Sequence, residues 1–177
     1  MPVPSEEILS AAKNIKFLLL DVDGVLTDGK LYYGNSGEEL KAFNIQDGLG
    51  IKLLQQAGIQ VGIITGRVSA LLQRRADELG ISPVIQGRED KLTALRELLQ
   101  GMDLGLNEIA FMGDDLPDLS VINSVGLGIT VANASSTLTK EATWQTRRSG
   151  GDGAVREAAE MILRAQNKFD TLVEQFK

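Results

Sequence analysis

The stretch Ile15–Gly29, "IKFLLLDVDGVLTDG", joins two things that ordinarily avoid each other. An apolar run, Phe17 to Leu20, ends abruptly in Asp21; Asp23 follows, then Gly24, and Asp28 closes the turn. A continuous apolar run without polar alternation predicts a strand of parallel sheet buried on both faces. In an open parallel sheet, ligands bind beyond the carboxyl ends of the strands. The run therefore delivers its aspartates to the edge where such a fold does chemistry, and Gly24 allows the tight turn that follows.

Working outward, the pattern repeats. Lys16–Leu20, Gln60–Thr65, Pro83–Gln86, Ile109–Gly113 and Gly126–Val131 read as strands. Between them Gly48–Ala57, Val68–Leu79, Asp90–Gln100 and Pro117–Ser124 read as helices, with Gly58 and Gly80 placed as C-terminal caps and Pro117 in a first turn. Gly153–Gln175 reads as a closing helical region broken near Asn167. This alternation predicts an α/β fold, a doubly wound and mainly parallel sheet, formed by residues 1–177 as one domain. The interruption is Gly29–Asn44, "GKLYYGNSGEELKAFN", whose two strand-like runs around "GNSGE" predict a protruding β-hairpin over about 30–44.

The fold gathers acids from distant positions. Asp21 and Asp23 follow the first strand, Thr65-Gly66-Arg67 the second, and Asp114, Asp115 and Asp118 the fourth. Carboxylates held together repel unless a cation intervenes or some are protonated. The 177 residues include no cysteine and no histidine. Thiolate zinc sites, cysteine nucleophiles, Ser-His-Asp triads and histidine-ligated metals are thereby excluded. Oxygen-only ligands point to Mg²⁺. The net charge of −6 argues against a nucleic-acid partner. No apolar stretch is long enough to span a bilayer, and "MPVPSEEILSAAKNIK" is too interrupted by charge for a signal peptide, so a cytoplasmic protein is expected.

Two other acidic architectures fit less well. An EF-hand loop beginning at Asp21 would have Leu26 at its sixth position and Tyr32 at its twelfth, where Gly and Glu are required. A phosphorelay receiver would carry a phosphoacceptor aspartate at the end of a later central strand, where Thr65 stands. The segments "DVDGVLTDG", "ITGR", the lysine of "EDKLTAL" and "GDDLPD", in that order, instead resemble the four motifs of the haloacid dehalogenase superfamily of phosphotransferases. With the hairpin, "FNIQDGLGI" and the late "GGDGAVRE", the closer pattern is similar to its 3-deoxy-D-manno-octulosonate 8-phosphate phosphatases.

That resemblance implies roles. Asp21 would be the nucleophile forming an aspartyl-phosphate, and Asp23 the general acid and then base. Thr65 and the Gly66 amide would hold phosphoryl oxygens, and Lys91 would neutralise charge. Mg²⁺ would be bound by Asp21, the Asp23 carbonyl and Asp114, with Asp115 and Asp118 orienting these ligands. Arg67 would grip a sugar acid's carboxylate. Arg75 is a further candidate for substrate binding. The intervals Asp21–Thr65 and Thr65–Lys91 leave no room for a cap domain. A homotetramer packed through the hairpins is implied instead, with "RRSGGDGAVRE" and its flexible glycines helping to close the site. Asp152 stands where relatives often carry a basic residue, and "NASS" where they commonly carry a histidine. Two other readings remain open here: a phosphatase for a nine-carbon sugar acid 9-phosphate, and a non-catalytic oligomerisation module. Arg67 favours the octulosonate over the nononate, whose phosphatases tend to carry an acidic residue there.

Overall fold

The protein is described here by a computed structural model covering residues 4–36 and 39–177. The elements run α1 (Glu6–Lys13), β1 (Phe17–Leu20), β2 (Tyr32–Tyr33), β3 (Glu39–Leu40), α2 (Ile45–Gln56), β4 (Gln60–Ile64), α3 (Ala70–Leu79), β5 (Val84–Ile85) and α4 (Lys91–Leu99). They continue with β6 (Ile109–Gly113), α5 (Leu119–Ile122), β7 (Leu127–Thr130), α6 (Ser136–Glu141), β8 (Trp144–Gln145), α7 (Ala154–Ala165) and α8 (Phe169–Glu174).

The six-stranded sheet has the order β5-β4-β1-β6-β7-β8, and every pairing is parallel. β1 sits inside it, with Leu20 beside Ile63 of β4 and Met112 of β6. Its apolar run divides between two cores. Phe17 and Leu19 pack with Phe111, Leu95 and Leu138 on the side of α4, α5 and α6. Leu18 and Leu20 pack with Ile51, Leu54 and Ile162 on the side of α2 and α7. All four are fully buried, and such side chains contribute about 1.5–3 kcal/mol each by transfer from water. That burial anchors the strand whose last step places Asp21 at the sheet edge.

The predicted doubly wound sheet is borne out, with local corrections. α3 begins at Ala70 because Ser69, extended, caps it by accepting a hydrogen bond from Leu72 N–H at 3.4 Å. The segment around Pro117 is a 3₁₀ turn, Leu116–Asp118, before the short α5. The closing helix breaks at Asn167, whose φ of 56° cannot continue it. Unforeseen were α1, and α6 with β8, a two-residue strand that extends the sheet edge. The hairpin carries only the pairs Tyr32↔Leu40 and Tyr33↔Glu39; of the expected turn, Gly37 and Glu38 lie outside the described residues. Between β1 and β4 the described chain forms the hairpin and α2, and between β4 and α4 one helix and one strand, so no cap domain is inserted. No helix among the described residues is long and apolar enough to cross a membrane.

The glycine-rich segment after β8 is packed on its own chain. It lies against the turn after β1: Gly151 N–H donates to Val25 O at 3.0 Å, and Gly150 N–H donates to Asn133 Oδ1 at 3.0 Å. A Cβ on Gly150 would stand 1.7 Å from Gly24 O. Close approach of two backbones, rather than flexibility, is what requires glycine there.

Candidate active site

The strand order β4-β1-β6 brings the carboxyl ends of three neighbouring strands to one place. Asp21 continues the ladder of β1, donating from its N–H to Met112 O at 2.9 Å. Thr65, just past β4, is buried and pinned on both sides, its N–H donating to Ile85 O at 2.9 Å and its carbonyl accepting from Arg88 N–H at 3.0 Å. Arg88 in turn clasps Asp90 and Glu97 at 2.7–2.9 Å, which fixes the start of α4 and its first residue, Lys91.

Lys91 is 4% exposed and bridges two acids: Nζ lies 2.9 Å from Asp21 Oδ1 and 2.5 Å from Asp118 Oδ1. The other Asp118 oxygen accepts from the N–H groups of Asp114 at 3.0 Å and Asp115 at 3.4 Å. Both Asp118 oxygens are thus engaged, and it braces its neighbours. Asp115 is exposed and caps the 3₁₀ turn through Leu116 N–H. Asp114 leans across the turn after β1; a Cβ on Gly24, at φ 96°, would lie 2.1 Å from Asp114 Oδ2. Thr27 steadies that turn, its Oγ1 donating to Val22 O and accepting from Gly24 and Gly29 N–H.

Oxygens of Asp21, Asp114 and Asp118 all lie within 4.8 Å of one another. Burial, then the charge of Asp118, pushes Asp21 up to about 6 against the pull of Lys91. Burial, then the charge of Asp21, pushes Asp114 up to about 7. Burial opposes the charge on Lys91, but the two facing carboxylates outweigh it and raise its pKa. The pull of one lysine does not cancel the upward shifts of Asp21 and Asp114. Asp21 and Asp114, with oxygens to spare, fit a hard divalent cation.

Asp23 points elsewhere. Its Oδ1 is held by Lys41 Nζ, whose side chain is 3% exposed, and its Oδ2 stands 3.6 Å from Arg67 Nε. Asp21, Asp23, Thr65, Gly66, Arg67 and Lys91, with Glu89 and Pro117, line an open cleft of ≈ 520 Å³. A buried carboxylate, a second acid in the same cleft, a buried ammonium and an acid pair able to hold a cation suit phosphoryl transfer, which is mostly positioning and charge neutralisation.

Residues 84–157 match the model of the haloacid dehalogenase-like hydrolases. The curated 3-deoxy-D-manno-octulosonate 8-phosphate phosphatase KdsC of Yersinia pestis is 48% identical over 166 residues, 94% of this chain and 89% of that protein. The chain belongs to the haloacid dehalogenase-like hydrolase family. Among solved family members, the 3-deoxy-D-manno-octulosonate 8-phosphate phosphatase of Moraxella catarrhalis, in complex with magnesium ion, phosphate ion and KDO, superimposes with a TM-score of 0.95. It is 49% identical, over 97% of this chain and 98% of that one. The cobalt-bound deoxy-D-mannose-octulosonate 8-phosphate phosphatase of Haemophilus influenzae is 41% identical, with a TM-score of 0.87 over 91% and 94% of the two chains.

Of the expected residues of this family member, Arg75 stands apart. It lies on α3, 3.3 Å from Glu78, with its guanidinium against Gly48 of α2, and is not among the residues lining the cleft. Two participants were missed in the sequence. Lys41 looked like any charge on a hairpin, and no local pattern marks it. Asp47 lies inside "FNIQDGLGI" but holds backbone, accepting from Arg156 N–H at 2.8 Å and Gly153 N–H at 3.3 Å.

Proposed function

We propose that this protein is a Mg²⁺-dependent phosphatase that hydrolyses 3-deoxy-D-manno-octulosonate 8-phosphate to the free sugar acid and phosphate, in the synthesis of lipopolysaccharide sugar. The observation that carries the reading is Lys91, buried between Asp21 and Asp118 beside Asp114, in a cleft that Thr65 and Gly66 complete. The curated relatives named for this activity support it along nearly the whole chain.

Each residue has a part. Asp21 attacks phosphorus and becomes the aspartyl-phosphate; Lys91 holds its Oδ1 and offsets the gathering charge. Thr65 and Gly66 receive the phosphoryl oxygens. Asp23 gives a proton to the leaving alkoxide and takes one from the water that later attacks the acyl-phosphate. Bound Mg²⁺, held by Asp21, Asp114 and the Asp23 carbonyl, supplies electrostatic stabilisation of the transferring group. Asp118 keeps Asp114 and Lys91 in place, and Asp115 acts only through the turn it caps at Leu116 N–H. Arg67 meets the substrate's carboxylate. The enzyme works as a cytoplasmic homotetramer whose hairpins pack together, and residues 1–177 act as one domain.

The test is phosphate release from a panel of sugar-acid phosphates, with and without EDTA. The octulosonate 8-phosphate should give the highest kcat/KM, EDTA should abolish turnover and Mg²⁺ restore it, and Asp21→Asn should be inactive. Preference for a nine-carbon sugar acid 9-phosphate would reassign the substrate, and activity in EDTA would sink the mechanism.

A further inference from the structure

The group assigned to acid–base work is gripped by two cations of unlike character. Lys41, one residue past β3, reaches Asp23 Oδ1 with a side chain 3% exposed. Arg67, one residue past the phosphate-holding pair Thr65-Gly66, approaches Oδ2 at 3.6 Å with a side chain 43% exposed. Asp23 itself is one-fifth exposed, toward the cleft. A buried ammonium in direct contact is a fixed anchor, because leaving would strand both charges in a low-dielectric site. A solvated guanidinium beyond hydrogen-bond distance is a loose partner that a stronger carboxylate ligand can draw away.

We propose that Lys41 is a positioning residue for the acid–base step, holding Asp23 by Oδ1 so that Oδ2 alone exchanges protons with the reacting groups. This rests on the phosphatase reading above. In the first half-reaction an Asp21 carboxylate oxygen bonds to phosphorus, the bond from phosphorus to the ester oxygen breaks, and the proton on Asp23 Oδ2 goes to that oxygen. In the second, water oxygen bonds to phosphorus, the acyl-phosphate P–O bond breaks to return Asp21, and the water's proton goes back to Oδ2. Arg67 leaves Oδ2 when the substrate's own carboxylate arrives, so the acid is uncovered by the molecule it must protonate. Without Lys41, Asp23 is free to turn about its side-chain bonds toward Arg67.

A general acid matters for a poor leaving group and little for a good one. kcat/KM reports steps through formation of the aspartyl-phosphate, so its ratio between an alkyl substrate and an activated aryl ester isolates the role. The experiment compares wild type, Lys41→Met, Asp23→Asn and the double variant on 3-deoxy-D-manno-octulosonate 8-phosphate and on dinitrophenyl phosphate. Lys41→Met should lose on the order of 10²-fold on the sugar phosphate, the low end for acid–base catalysis, and under about tenfold on the aryl ester. In the Asp23→Asn background Lys41→Met should cost nothing further, since both act through one carboxylate. The double variant removes both charges of the pair, so it remains a folded reference if Lys41→Met alone is unstable: it should then match Asp23→Asn in both rate constants. Equal loss on both substrates, full activity in Lys41→Met, or additive losses in the double variant would overturn the proposal. Failure of the wild type to cleave the sugar phosphate would instead overturn the reading on which it rests.

Discussion

Asp47, in the first turn of α2, caps a different helix: its carboxylate accepts from the N–H groups of Gly153 and Arg156 at the start of α7. Gly153 offers no side chain of its own for the purpose. The same contact ties the exit of the hairpin to the glycine-rich segment that backs the turn after β1, where Asn44 also donates to Gly151 O at 3.3 Å.

Removing that carboxylate leaves buried N–H groups without a partner. Asp47→Ala should therefore destabilise by about 1–3 kcal/mol. Asp47→Asn should cost less, because its amide oxygen still accepts. Thermal unfolding at fixed Mg²⁺ checks both; an Asp47→Ala protein that melts with the wild type would show that α7 is capped by solvent.

The central sheet was legible because each strand is a continuous apolar run and each acid stands directly at a strand end. Asp21, Thr65 and Asp114 meet for that reason alone. What was not legible depended on approach between segments far apart in the chain. Asp47 and the Arg156 N–H it accepts from are 109 residues apart, Lys41 and Asp23 are 18 apart across a hairpin, and nothing local distinguishes Asp47 or Lys41 from a solvated charge. α6 and β8 were missed because six and two residues give too little periodicity to read. Arg75 follows β4 and Thr65 in sequence, but its position on α3 turns it toward α2.

Metal binding should depend on pH in a direction set by the acid pair. Asp21 stands at about 6 and Asp114 at about 7 in the folded protein, against 3.8 for an ordinary aspartate. Between those limits the folded state holds more protons than the unfolded chain, so metal-free stability should fall as pH rises through about 4 to 7. Mg²⁺ competes for the same oxygens, so its stabilising effect should grow over that window. The rise in Tm on adding Mg²⁺ should be larger near pH 8 than near pH 5; equal shifts would show that these carboxylates are not its ligands.

Close backbone packing behind the catalytic turn yields a paired test. A methyl at position 150 would meet Gly24 O at 1.7 Å and Val25 N at 3.0 Å, whereas one at Gly101 meets nothing within 4 Å. Gly150→Ala should cost about 1–3 kcal/mol, as overpacking usually does. It should also lower kcat, because the displaced turn carries Asp23. Gly101→Ala should stay within about 0.5 kcal/mol of the wild type with unchanged kcat. Measuring both by denaturation and steady-state kinetics separates strain at the turn from any general effect of replacing glycine.

The hairpin presents Leu31, Tyr32, Tyr33 and Leu40 to solvent in the single chain, Tyr33 and Leu40 at 67% and 64% exposure. Two-stranded ribbons of this size are marginal alone, and apolar side chains exposed on both faces of one, Tyr32 and Leu40 on one face and Tyr33 on the other, are ordinarily covered by a partner. Tyr33→Glu with Leu40→Lys places a charge on each face of the ribbon while leaving Lys41 and the Asp21 cluster untouched. The expected result is a species smaller than a tetramer by light scattering, with dinitrophenyl phosphate still cleaved through Asp21. Activity on the sugar-acid phosphate should fall much further, because remote contacts with the substrate are what raise kcat/KM for it. A variant of the same mass in solution as the wild type would show that the proposed tetramer does not assemble through this hairpin. One that dissociates yet keeps wild-type selectivity between the two substrates would show that each cleft recognises the sugar acid without help from its neighbours.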